Sequence, residues 1–170
     1  MRSRITAFLL ISACVTWGIW CGGQVFNELM TIPIFSYDPP ASMKIYSELP
    51  RKGGFVFFIV FNPLFEILTI AATLFAWRSA RRSRKWLLAT TFIGLAVVLS
   101  LILYLAPLIQ ESFQHSIAGD MPADQIAANV EFWKLGNRIR LVVESIGFIC
   151  SLIALHTWAR DVHEIREPQD

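Results

Sequence analysis

The chain has 170 residues, of which 55% are hydrophobic and only 16% charged, and its mean hydropathy is +0.51; a soluble domain usually carries about 25% charged residues. This composition excludes an ordinary soluble domain and describes a membrane protein. The net charge of +2 is too small to imply a nucleic-acid partner, and the cations have a better explanation in membrane topology.

Arg2 and Arg4 precede a first apolar stretch, Ile5–Met30. About 20 helical residues at 1.5 Å each cross ~30 Å of hydrocarbon, so the stretch is long enough to span. Its start, MRSRITAFLLISAC, has the charged head, short apolar region and cysteine of a cleaved leader. The apolar run continues through Trp17, Ile19 and Trp20 to Met30, however, and a membrane span is expected instead. Read at alternating spacings of four and three, one face carries Cys14, Trp17, Cys21, Gln24 and Glu28, with Gly22, Gly23 and Asn27 beside it. The loop SYDPPASMKIYSELPRKGG follows, and its prolines and glycines interrupt the helix, leaving room for a short interfacial helix over Met43–Leu49.

The second span covers 53–77 and has the face Asn62, Glu66, Thr69, Thr73 and Ala76, with Pro63 inside it. Arg78, Arg81, Arg82, Arg84 and Lys85 fill the short turn to the third span, and Trp77 and Trp86 flank that turn as interface anchors. The positive-inside rule puts this turn and the N-terminus in the cytoplasm, although Lys44, Arg51 and Lys52 sit in the first outer loop. The third span, 86–109, has the face Thr90, Gly94, Val97, Leu101 and Tyr104. The next loop, QESFQHSIAGDMPADQIAAN, holds no Lys or Arg, and in it Asp120 can cap a helix with Pro122 in its first turn. The fourth span, 133–158, has its apolar part at Leu141–Trp158 and the face Trp133, Asn137, Arg140, Glu144, Gly147, Ser151 and Ala154.

The expected fold is therefore all-α: one domain over 1–170, an integral membrane four-helix bundle with N-in/C-in topology, crossing a bacterial inner (plasma) membrane several times. Small and polar residues on one face are what helix association in lipid requires, so these faces should point inward. Counting inward from the cytoplasmic tryptophans or Thr6 puts Glu66 at about 16 Å, Asn62 and Glu144 at about 21–22 Å, and Gln24, Tyr104 and Arg140 at about 27 Å. Glu28 and Asn27 fall at the outer rim. The polar side chains thus converge on an outward-facing pocket with Glu66 at its floor. Arg140 shares its face with Glu144, whereas Arg138 points about 160° away, as an interface anchor would. A polar network that only fixes the packing is the competing reading.

Cys14, Cys21 and Cys150 all lie within spans without zinc or redox spacing, and are read as packing residues. His115 and His156 fall at opposite ends of the spans, which argues against a haem held between them, and His163 lies in the charged tail. Glu28, Glu66 and Glu144 lack the Glu-x-x-His pair of a carboxylate metal site. No phosphate loop, nucleophile elbow or zinc-protease motif appears, and neither a metal nor another cofactor is expected.

A glycine-rich first helix ending in a proline, GGQVFNELMTIPIFS, together with LYLAP and the W-x-x-x-N-R-I-R element at Trp133, Asn137, Arg138, Ile139 and Arg140, resembles the anthrone-oxygenase-like family of four-helix membrane proteins. Most members are domains of unknown function, and some are implicated in cofactor-independent oxidation of polyketide anthrones. The resemblance covers nearly the whole chain, its tryptophan and Asn-Arg-x-Arg element being the most specific part. It implies the architecture and, for activity, a carboxylate that removes a proton from a carbon acid whose enolate reacts with dioxygen. Glu66 or Glu144 would be that base, with Arg140, Asn137 or Tyr104 stabilising the oxyanion. Gln24, Asn27, Glu28, Asn62 and Trp133 complete the expected ligand-binding set. The other class left open is non-enzymatic: a protein that binds a lipid-like molecule, assists assembly, or couples transport to protons, with self-association into a homo-oligomer also open. The lipid bilayer is the partner expected in every case.

Overall fold

The computed structural model describes residues 2–49, 54–77 and 82–166. Arg51, Lys52, Gly53, Arg78 and Arg81 lie outside the described residues, as do the side chains of Arg2 and His163. Among the described residues every regular element is helical. In chain order these are α1 (Arg2–Phe26), α2 (Ile32–Ser36), α3 (Ala41–Glu48), α4 (Gly54–Ala76), α5 (Arg84–Ser100), α6 (Ala106–Ala118) and α7 (Ala123–Arg166). Three helical rods are long and apolar enough to cross a membrane: Arg4–Ser36, Arg84–Ala118 and Ala123–Val162. Val60–Ala76, within α4, is a shorter apolar helix. The short helix expected near Met43–Leu49 is α3.

Two rods contain a wider turn, π-helical at Asn27–Thr31 between α1 and α2 and at Leu101–Leu105 between α5 and α6. Each precedes a proline in the first turn of the helix that follows, Pro33 and Pro107. A proline lacks its N–H and its ring collides with the carbonyl four residues earlier. Those carbonyls belong to Leu29 and Leu103, at the centres of the two wide turns, where the added residue makes room for the ring. The helices therefore continue where the sequence predicts their ends. α6 carries the second rod past Ile109 to Ala118 and stops at Gly119, whose left-handed φ of 72° lets its N–H close on the His115 carbonyl at 2.8 Å. Asp120 hydrogen-bonds the His115 ring rather than capping α7, and the Pro122 carbonyl accepts the N–H groups of Gln125 and Ile126 in the first turn of that helix.

α1 packs against α4 and α7, and α5 packs against the same two helices. The core forms three layers along the rods. Leu10, Ala72, Ala76, Leu87, Ala154 and Trp158 form the layer nearest the N-terminus; Trp17, Trp20, Cys21 and Phe65 form the middle one. Ile32, Phe35, Met43, Leu105, Ile126 and Trp133 form the distal layer, where α3 closes over α6. Close approach in the middle layer depends on missing side chains: a Cβ at Gly147 would sit 2.7 Å from the Trp17 ring, and one at Gly23 would overlap Phe57. The three cysteines are free and buried, and Cys14 donates a weak Sγ hydrogen bond to the Ser151 carbonyl at 3.3 Å.

Candidate functional site

α7 is regular over the stretch that matters, so the spacing rule works along its length: Trp133, Asn137, Arg140, Glu144, Gly147, Ser151 and Ala154 are all buried. Three of them build a polar network against α1. Arg140 Nη2 donates to Gln24 Oε1 at 2.7 Å and to Asn137 Oδ1 at 2.8 Å, and Arg140 Nε stands 3.6 Å from Glu144 Oε1. Trp20 Nε1 donates to the same Glu144 oxygen at 3.1 Å. Toward the distal end Asn137 Nδ2 donates to Glu28 Oε2 at 3.1 Å, and Arg138 Nε donates to Glu28 Oε1 at 2.6 Å. Glu144 is fully buried, so the facing guanidinium and indole N–H are what make its charge tolerable. The network keeps spare capacity: Gln24 Nε2, Arg140 Nε and Nη1, and Glu144 Oε2 have no hydrogen-bond partner among the described residues.

Glu66 has a different environment. It is 6% exposed, and neither of its carboxyl oxygens has a hydrogen-bond partner among the described residues. The nearest part of α5 is Gly94, where an added Cβ would overlap Glu66 Oε2 and crowd Phe65. One turn away, the half-buried Asn62 also leaves its Oδ1 unpartnered. Phe57, Phe61 and Phe65 run beside these two residues on α4 and pack with Trp20 and with one another, Trp20 and Phe57 being stacked at 6.0 Å. On the next turn Thr69 accepts from Trp17 Nε1 at 2.9 Å and donates to the Phe65 carbonyl. An ionised carboxyl without a donor in an apolar interior costs several kcal/mol, so this position calls for a hydrogen-bonding molecule or for a proton on the carboxyl itself.

Several expected site residues lie elsewhere. Tyr104 is 73% exposed, on the outer face of its rod. The wide turn at Leu101–Leu105 rotates the helix by about one residue, or ~100°, so the inward face passes from Val97 to Leu105. Trp133 packs against Phe35 in the distal layer, with ring centroids 5.7 Å apart, and is a core residue there. Asn27 opens the other wide turn, half-buried. Glu28, Glu66 and Glu144 do not converge, and among the described residues no three His, Cys, Asp or Glu side chains gather as metal ligands.

Two hollows stand out among the described residues. One, about 540 Å³ and lined by Ile11, Val15, Gly18, Phe148 and Leu152 among others, is an open apolar groove between α1 and α7. The other, about 220 Å³, lies at the distal end beside Glu28. Neither is lined by Glu66, Asn62, Asn137, Arg140 or Glu144, so the outward-facing pocket with Glu66 at its floor is not among them.

Three participants are absent from the expected set. Trp20 lies between two residues of the α1 face, and only the contact with Glu144 reveals its role. Arg138, expected to point away as an anchor, reaches Glu28 because the wide turn redirects that residue. Gly94 stands on the predicted α5 face, but its place opposite Glu66 follows from how α4 and α5 meet. Comparison with known proteins gives no matching family model, no similar curated protein and no similar solved structure.

Proposed function

We propose that the chain is a four-span helix bundle of the bacterial inner membrane, with both termini and the basic turn on the cytoplasmic side, which takes a small hydrophobic molecule from the bilayer and holds its polar group at Glu66. The observation that carries this reading is the buried Glu66 carboxyl, unpartnered at both oxygens among the described residues and facing a glycine. With the unpartnered Asn62 oxygen one turn away, the position offers acceptors to a ligand donor. The 23 residues of α4 rise about 35 Å, enough for the fourth span. Arg84 over Trp77 and Lys85 over Trp86, each at 5.3 Å, support an interface at the basic turn.

Where the bound molecule is a carbon acid, Glu66 is the base that removes its proton, and the enolate reacts with dioxygen without a cofactor, as the anthrone-oxygenase-like resemblance implies. Glu144 is committed to Arg140 and Trp20 and is the fixed anion of the pair. The unused donors of Arg140 and Gln24 are available to an oxyanion. A non-enzymatic binding protein is the second reading, favoured by the mutual pairing of Gln24, Asn137, Arg140 and Glu144, which holds α1 to α7 whether or not chemistry occurs.

Mass spectrometry of the organic extract from protein purified in mild detergent tests both. A retained hydrophobic molecule should be present with the wild type and absent with Glu66→Leu. Oxygen uptake with that molecule, present in the wild type and lost in a Glu66→Gln variant that still binds it, supports the enzyme. Equal retention by the leucine variant removes Glu66 from the site.

A further inference from the structure

The distal hollow stands apart from Glu66 and has its own chemistry. It is lined by Glu28, Ile32, Pro33, Ser36, Tyr37, Lys134 and Arg138. Lys134 and Arg138 lie one turn apart on α7, so both cations reach the same opening. Both Glu28 oxygens are already occupied, one by Asn137 and one by Arg138. Arg138 uses Nε for that bond, and its guanidinium edge, on a side chain 62% exposed, keeps further donors. Lys134 Nζ gives one proton to Glu131 at 2.7 Å and retains two. Ser36 is buried at the hollow's edge, and its hydroxyl can donate one hydrogen bond.

We propose that this hollow binds the phosphate of a membrane phospholipid, held between Lys134 and Arg138 with Ser36 as a third donor. A guanidinium edge and an ammonium one turn apart present the donors that a phosphodiester oxygen pair accepts. At about 220 Å³ the hollow is smaller than the ~300 Å³ at which sites for whole drug-sized molecules begin, so it holds a headgroup and leaves the acyl chains outside. Those chains have a surface to follow: Leu29, Met30 and Ile34 on one wall and Leu135 and Ile139 on the other are exposed and apolar. The position also fits, because the hollow lies where the apolar part of α7 gives way to its polar N-terminal turns, at the depth of lipid headgroups.

Native mass spectrometry of the delipidated protein in detergent, titrated with phosphatidylglycerol, with diacylglycerol of the same chains and with inorganic phosphate, provides the test. Phosphatidylglycerol should saturate one site per chain, and diacylglycerol should bind about tenfold more weakly or worse, the loss of one charge-assisted contact pair. Lys134→Gln should weaken phosphatidylglycerol about tenfold, and Ser36→Ala by a smaller factor. Neither substitution touches the Glu28 pair, so unchanged helicity and melting temperature are expected with both. Arg138→Lys, which keeps the charge and loses the fork, should fall between them. Equal affinity for diacylglycerol, wild-type binding by Lys134→Gln, or displacement of the lipid by inorganic phosphate at comparable concentration would each overturn the proposal.

Discussion

Two buried carboxyl groups of the same type, on helices that each pack against both α1 and α5, are treated differently. Glu144, on α7, has a guanidinium from its own helix one turn away and an indole N–H from α1. Glu66, on α4, faces the bare backbone of Gly94. Glu144 has partners at one oxygen, Oε1, which faces Arg140 and Trp20, whereas Glu66 has none at either oxygen among the described residues. A buried charge with partners holds helices together, while a buried polar group without them is a place for something else to bind.

The largest effect should come from breaking the paired side. Arg140→Leu leaves Glu144 buried without its cation, which costs about 3–5 kcal/mol in comparable buried pairs. Chemical denaturation in mixed micelles should show that loss, and Arg140→Leu combined with Glu144→Leu should recover most of it. A single variant within about 1 kcal/mol of wild type would mean that the pair is solvated, and the contrast with Glu66 would disappear.

Gly94→Ala probes the other side. The new methyl overlaps Glu66, so about 1–3 kcal/mol of destabilisation is expected from overpacking. Glu66→Ala should be mild alone and should relieve Gly94→Ala, giving a coupling energy of about 0.5–3 kcal/mol in the double-mutant cycle. Additive losses would place the alanine's strain elsewhere than on Glu66.

Tyr104 tests the helical register. Because the ring faces outward, Tyr104→Phe should change stability by less than about 0.5 kcal/mol. Substitution of Leu105 by Ala should cost about 2–5 kcal/mol as a buried core truncation. The opposite order would restore the face that the sequence predicts.

The smallest effect belongs to the solvent-exposed pair beyond the apolar part of the second rod, Arg84–Ala118. The Asp120 hydrogen bond, 2.7 Å from His115 Nδ1, raises His115 above its ordinary value and lowers Asp120 below its own. The His115 contribution is fully present below the unfolded histidine value and is lost as pH rises through the raised folded one. The Asp120 contribution is present above the unfolded aspartate value and is lost as pH falls through the lowered folded one. The loop is therefore best held in the window between the two. NMR titration of the His115 ring should show the upward shift and should return to the ordinary value in Asp120→Asn.

Amino-acid order alone decided the helical class, the apolar rods and the buried face of α7. Those features follow from local quantities: apolar length, residue spacing and the i,i+4 offset between Arg140 and Glu144. The face of α5 was legible only as far as Val97, although Pro107 carried a warning, since a proline acts on the carbonyl four residues before it. Pro63 carries the same signal, yet α4 continues as an α-helix through it, so the sequence does not tell which prolines widen a turn. Only the tertiary structure decided that Trp20 reaches Glu144, that Arg138 reaches Glu28, and that Gly94 lies against Glu66. Each is a meeting between helices far apart in sequence, set by rotation and sliding of one rod on another, and no spacing within a single helix encodes those two quantities.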